Sequence, residues 1–317
     1  MTPNGNGGRT VPDEELAESF GEFQRRVLDR VETLLATSYE STTIRNLVYT
    51  LAFRANDVLP KRDSRPKTTT AFVAEQIHRA HGGDPDRRAT LVEFAVVVAE
   101  YADVLDDVVD GDVAEGHQRE ALLVSQLLVP VLIRSVHRLG GRAVDYWTDD
   151  ALALVQAPLV HEREATPSGE AYLDLLAEQA SLRSSVTGLA AVAADGDDAA
   201  VARAEEVGRA VHGLMQFSTD LHQYGADDDP WNAAALFSEE AFLEQVDAFR
   251  DDLDAAVASY PSPYAERIVR FWERDYRASY RETVGADTDA ESESDTDAES
   301  EPETDAESDN DTDAGAE

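Results

Sequence analysis

The chain has 317 residues, with 65 acidic against 27 basic ones, a formal net charge of -38 and no cysteine. So acidic a balance excludes nucleic acid as a partner, because phosphate backbones are bound through a basic footprint, and it argues against an anionic membrane surface. Without cysteine there are no disulfides, no thiolate nucleophile and no Cys-ligated metal centre.

The two lysines stand against 25 arginines. With the acidity, this ratio leads us to expect the high-salt cytoplasm of an extreme halophile, where a hydrated acidic surface keeps protein in solution. The N-terminus lacks a signal-peptide core, and no uninterrupted apolar stretch reaches the roughly 18 residues of a membrane span. Residues 1–12 read as unstructured. Residues 286–317 are a low-complexity string with 15 acids and no base, too polar to offset its ordering entropy, so disorder is expected there. One helical domain over 13–285 remains.

Within that domain apolar residues recur at three- and four-residue intervals. The pattern predicts helices over Leu16–Leu35, Ile44–Leu59, Ala71–Ala80, Thr90–Val109, Ala121–Leu139, Tyr146–Gln156, Ala171–Ala194, Val201–Tyr224, Phe237–Val257 and Tyr264–Tyr280. Proline and glycine punctuate the gaps, at Pro60, Pro66, Gly82-Gly83-Asp84-Pro85, Gly140-Gly141, Pro167-Ser168-Gly169 and Pro261 among others. No alternating run of β-branched residues competes. The expected fold is therefore all-α, a single antiparallel bundle of about ten helices.

Two segments carry the chemistry. The first is Asp106-Asp107-Val108-Val109-Asp110, closing the apolar run Phe94–Ala99. At helical spacing Asp103, Asp106, Asp107 and Asp110 share one side. A surface acid run would interrupt polar sequence; this one ends a helix that otherwise reads as buried. Carboxylates held so close repel unless a cation sits among them, and a hard divalent ion with oxygen ligands answers that, Mg2+ in particular, often sharing its sphere with a phosphate-bearing substrate. The second segment is Pro60-Lys61-Arg62-Asp63-Ser64-Arg65-Pro66-Lys67, which holds both lysines of the protein. Lys and Arg at such a loop suit an anionic phosphate group, as point charge and as bidentate fork.

A basic loop followed by a long apolar helix ending in DDxxD resembles the opening of the trans-prenyl diphosphate synthases. Lys61 to Pro66 is similar to the family's GKRxRP motif, which grips isopentenyl diphosphate; counting back from Arg65, Arg62 stands at the family's lysine. Asp106, Asp107 and Asp110 match the first aspartate-rich motif, which binds Mg2+ bridging to the allylic diphosphate. Tyr101, five residues earlier, matches the aromatic floor of the product pocket in short-chain members, implying C15–C20 products. Further on, Gly208 to Leu221 resembles the GxxFQxxDDxxD helix, with Gln216 as a substrate-binding and Asp220 as a metal-binding position. Thr219 and Gln223 stand where acids are expected. The family's Arg-Arg-Gly, Lys-Thr pair and late Gly-Lys are missing; Gln179-Ala180 falls at the Lys-Thr position.

The resemblance implies an isoprenoid synthase type I fold and a cytoplasmic prenyltransferase that condenses isopentenyl diphosphate with an allylic prenyl diphosphate by Mg2+-assisted ionisation, working as a homodimer or a heterodimer with a related synthase. The missing motifs leave an alternative, a catalytically degenerate homologue that binds a prenyl diphosphate or regulates an active synthase. A terpene synthase would place an Asn, Ser, Glu triad where Thr219, Gln223 and Asp227 stand. Independently of any family, His212, Gln216, Thr219 or Asp220, and Gln223 make a polar stripe on an apolar helix, which faces either a hydrated cavity or an internal hydrogen-bond ladder. His78 and His81 are read as surface or capping residues, and Arg87-Arg88 as a surface helix start.

Overall fold

The computed structural model describes residues 18–54, 59, 67–150, 165–225, 230–258, 260 and 262–284. The chain runs through α1 (Phe20–Ser38), α2 (Thr42–Phe53), α3 (Thr69–Ala80), α4 (Pro85–Asp110), α5 (Gln118–Leu139), α6 (Gly141–Asp150), α7 (Gly169–Ala193), α8 (Asp198–Gln223), α9 (Ala233–Leu236), α10 (Glu239–Ala258) and α11 (Pro263–Phe271), with helix resuming over 276–284. There is no strand among the described residues, so the all-α expectation holds.

Side-chain caps set many of the boundaries. Ser19 and Glu22 close a capping box at the start of α1, Asp84 caps α4 ahead of Pro85, and Ser168 and Asp197 cap α7 and α8. Gly111, at φ 79°, ends α4 in the left-handed region that glycine tolerates.

Several boundaries differ from the sequence expectation: the helices expected from Thr90 and Tyr146 start earlier, at Pro85 and Gly141, and three other differences have a visible structural form. The helix expected from Phe237 starts at Glu239, because Phe237 is extended and caps the short α9. The helix expected over Tyr264–Tyr280 breaks after Phe271, and the turn carries Trp272 and Tyr276, each 3% exposed, into the core. α2 ends at Phe53, not Leu59.

α3 is central, buried without interruption from Thr70 to His78. His78 is therefore not a surface or capping residue. It is fully buried, and its ring packs so tightly on Gly83 that no side chain fits there. Sequence spacing alone gives no sign that the turn folds back over the helix end. Burial pushes its imidazole down to about 4. His81 is half-buried, edge-on to Tyr260. On the same helix Glu75, 1% exposed, accepts from Arg26 at 2.8 Å and Arg79 at 3.2 Å, with Arg88 at 3.8 Å. Arg88 thus belongs to an ion cluster joining α1, α3 and α4, while Arg87 pairs with Asp195.

α5 is long and apolar enough, by length and composition, to cross a membrane; interspersed polar residues hide this from a search for uninterrupted apolar runs. It packs along α4 and leaves Leu122, Leu123 and Ile133 exposed.

Candidate active site at one end of the bundle

The helix directions gather the singled-out residues. α3 and α4 form an antiparallel hairpin through Gly82 and Gly83, and the start of α4 meets the end of α7 where Arg87 bonds Ala193 O at 3.4 Å and Asp195 at 2.9 Å. α7 and α8 are antiparallel and share the most extensive interface of the fold. At the far end of these four helices lie the start of α3, the end of α4, the start of α7, the end of α8 and the start of α9.

The basic loop arrives there. Lys61, Arg62 and Arg65 lie outside the described residues, but Lys67, the last of that stretch, is placed on the acid row. Its Nζ binds Asp103 Oδ1, and its backbone N–H donates to Glu100 Oε1 at 2.5 Å. Glu100 is fully buried and Asp103 is 8% exposed. Sequence reasoning noted Lys67 within the loop and Asp103 in the row without pairing them, and passed over Glu100. Only the α3–α4 hairpin brings them together.

One turn further, Asp106 is exposed and Asp107 is half-buried. The surrounding protein desolvates the Asp106 carboxyl and raises its pKa; Lys67 opposes this, and the charges of Asp107 and Asp112 reinforce it. Among the described residues no three His, Asp or Glu side chains are gathered as a metal cluster; the side chain of Asp110 lies outside them. A carboxylate whose proton affinity is raised by burial and by neighbouring carboxylates belongs to an oxygen-only donor set that fits a hard divalent cation. Tyr101 is half-buried and packs on the core.

Across the bundle the α8 residues are engaged with protein. Asp220, 3% exposed, accepts from the Tyr172 hydroxyl at 2.7 Å, Gln216 Nε2 at 2.8 Å and the Ala233 N–H at 2.7 Å. Its own carbonyl accepts from Asn232 at 2.8 Å. Thr219 bonds back to Met215 O, and Gln223 is exposed. Of the two possibilities for the polar stripe, Gln216 and Asp220 form the internal network, tying α7, α8 and α9 together. Tyr172 and Asn232 were not singled out from sequence; the signal available was a lone Tyr opening an apolar helix and an Asn after Trp231. His212 belongs to a different contact, with Arg183 of α7.

An antiparallel all-α bundle of this topology has the fold of the isoprenyl diphosphate synthases. In particular the chain is similar to a geranyltranstransferase from Methanosarcina mazei, at TM-score 0.64 and 13% identity over 81% of this chain and 97% of that one. It is also similar to a deletion mutant of the heterotetrameric geranyl pyrophosphate synthase of mint in complex with ligands, at TM-score 0.58 and 12% identity over 80% and 100%. A third is a geranylgeranyl pyrophosphate synthase from Corynebacterium glutamicum complexed with calcium and isoprenyl diphosphate, at TM-score 0.59 and 16% identity over 84% and 99%. By sequence, no family model and no curated protein matches. At these identities the likeness carries the fold.

Proposed function

We propose that the chain is a prenyltransferase that condenses isopentenyl diphosphate with an allylic diphosphate to a C15–C20 isoprenoid diphosphate. The observation that carries the reading is the seating of Lys67 on Asp103, which sets the end of the basic loop against the Asp106-Asp107 acid row on a fold shared with prenyl diphosphate synthases. A cationic loop end beside an acid row, on an apolar bundle, suits a substrate with a diphosphate head and an apolar tail.

In this reading Asp106, Asp107 and Asp110 hold Mg2+, with Asp220 drawn in only if its internal bonds are released. The ion, when bound, supplies the positive charge that stabilises a departing diphosphate. Lys61 or Arg62, with Arg65, grips the diphosphate of isopentenyl diphosphate and aims its double bond at the allylic carbon. Gln216 lines the substrate side of α8, and Tyr101 bounds the space for the product tail. The buried faces of α4 and α7 exclude the water that would capture an allylic cation. The exposed Leu122, Leu123 and Ile133 on α5 suit an apolar contact with a second copy or a related synthase. A high-salt cytoplasm completes the proposal.

One observation favours a second reading. The commitment of the Asp220 carboxylate to three protein donors suits a degenerate homologue that binds a prenyl diphosphate without turning it over. Both are tested by offering the purified chain labelled isopentenyl diphosphate with dimethylallyl, geranyl and farnesyl diphosphates in molar KCl and Mg2+, beside Asp106→Ala/Asp107→Ala. A labelled product lost in the double variant is expected. Folded protein that forms no product with any primer sinks the elongation reading and leaves the binding one.

A further inference from the structure

Deep in the same bundle is a cation with no counter-charge among the described residues. Arg183, in the middle of α7, directs Nη1 to His212 Nδ1 and Nη2 to the Met215 sulfur at 3.3 Å, and its Nε has no partner. It is the only basic residue of α7. No described carboxylate offsets it, and burial alone lowers its pKa to about 10. The residue as a whole is partly buried, and its Nε is shut off from solvent.

The neighbours offer the guanidinium little. Thioether sulfur is a weak acceptor, so the Nε/Nη2 edge, the fork that takes a carboxylate or phosphate through two parallel bonds, is left without a strong acceptor. His212 is 3% exposed, and desolvation followed by the Arg183 charge holds it neutral. With Nδ1 accepting from Arg183, its proton is on Nε2, which is itself buried and unbonded. The pair therefore presents unmatched N–H donors and one net positive charge. Burying a charge without a partner is costly, and proteins retain such groups where a ligand completes them.

Its position relates it to the candidate site. Ten residues before Ala193, Arg183 lies level with about residue 97 of the antiparallel α4, some ~13 Å along the bundle axis below Asp106. Side chains tilt toward the N-terminus of their own helix, so Arg183 leans up toward the acid row and the acids lean down. Gly208 allows this closeness of α7 and α8: a Cβ there would lie 2.7 Å from Ser184 Cα and 2.8 Å from the Arg183 carbonyl.

We propose that Arg183 and His212 form an interior binding position for a phosphate-type oxyanion, which would take the unbonded Nε and displace the Met215 sulfur from Nη2 of the guanidinium. As a site for a free anion it is independent of the prenyl transfer reading; as a site for the substrate's own diphosphate it rests on that reading. The occupant is either the diphosphate of a bound substrate or a free inorganic anion.

The test is calorimetric titration of the full chain with inorganic pyrophosphate in EDTA, which removes metal-bridged binding at the acid row, repeated with geranyl diphosphate. Measurements use wild type, Arg183→Met and Arg183→Lys, with thermal melts of each. Wild type is expected to bind pyrophosphate. Arg183→Met is expected to lose tenfold or more in affinity while melting no lower than wild type. Arg183→Lys, which keeps the charge and loses the fork, should fall between them. Geranyl diphosphate losing affinity in parallel identifies the substrate's own diphosphate as occupant; pyrophosphate alone losing it identifies a free anion. Wild type that binds no pyrophosphate, Arg183→Met that binds it equally well, or Arg183→Met that fails to fold overturns the inference, the last because it would make Arg183 a structural residue. Prenyl transfer lost in Asp106→Ala/Asp107→Ala but anion binding independent of Arg183 would leave the proposed function standing.

Discussion

Replacing Asp220 with alanine separates a structural carboxylate from a metal-binding one. In the structure this side chain receives three hydrogen bonds, from Tyr172, Gln216 and the Ala233 N–H, at 2.7 to 2.8 Å and almost fully buried. Bonds to a charged acceptor contribute about 1.5–3 kcal/mol each, but the three share one carboxylate whose own desolvation offsets part of the sum. The loss also strands buried donors, chiefly the Ala233 N–H, which has no freedom to turn away. Together these place Asp220→Ala at about 3–5 kcal/mol less stable. Asp220→Asn keeps an acceptor for Tyr172 and Ala233, and Gln216 can turn its amide oxygen to the new NH2 group, so about 1–2 kcal/mol is expected. Urea unfolding of both variants and of Tyr172→Phe, without metal, provides the assay. An Asp220→Ala chain within about 1 kcal/mol of wild type would refute the network as a stabilising element and return the carboxylate to the metal-binding role.

Two further outcomes follow from buried charge. His78 titrates at about 4 in the fold against 6.5 for a solvated imidazole, so the unfolded chain takes up its proton first; the His78 contribution is complete above about pH 6.5 and is lost as pH falls toward 4, by about 3 kcal/mol. Denaturant unfolding at about pH 7, 5.5 and 4.5 should show wild type losing most of that relative to His78→Gln over the range, and parallel curves would contradict the assignment. Glu75→Ala removes the buried partner of Arg26 and Arg79, whose side chains are 34% and 7% exposed; a loss of about 3–5 kcal/mol is expected by thermal or urea unfolding, and a loss below about 1 kcal/mol would show that water reaches the cluster.

Much of the fold was legible because its cause is local. The recurrence of Phe94, Val97, Val98 and their like at helical spacing, with Asp84-Pro85 before and Gly111 after, defines α4 whatever it packs against. The breaks at Phe237 and Trp272 were not legible, since Trp272 turns the chain only because a core exists to receive its ring. The acid row stood out in sequence through its apolar context, and so did the basic loop. That Lys67 meets Asp103 depends on an α3–α4 hairpin that no spacing rule specifies. Arg183 left a faint mark, a lone base in a long apolar run, but whether such an arginine finds a carboxylate is a question about the neighbouring helices.

By itself, then, the sequence determined the helical class, the order of the helices and the two segments whose charges stand out from their surroundings, because periodicity and composition act within a turn or two of chain. The tertiary structure decided which polar residues are exposed and which are spent on one another. Asp220 is held by Tyr172 and Ala233, His78 is shut under Gly83, and Arg183 is left with a neutral histidine. Each outcome depends on which helix faces which, and burial, the quantity that sets the strength of a charge, exists only once the helices are packed.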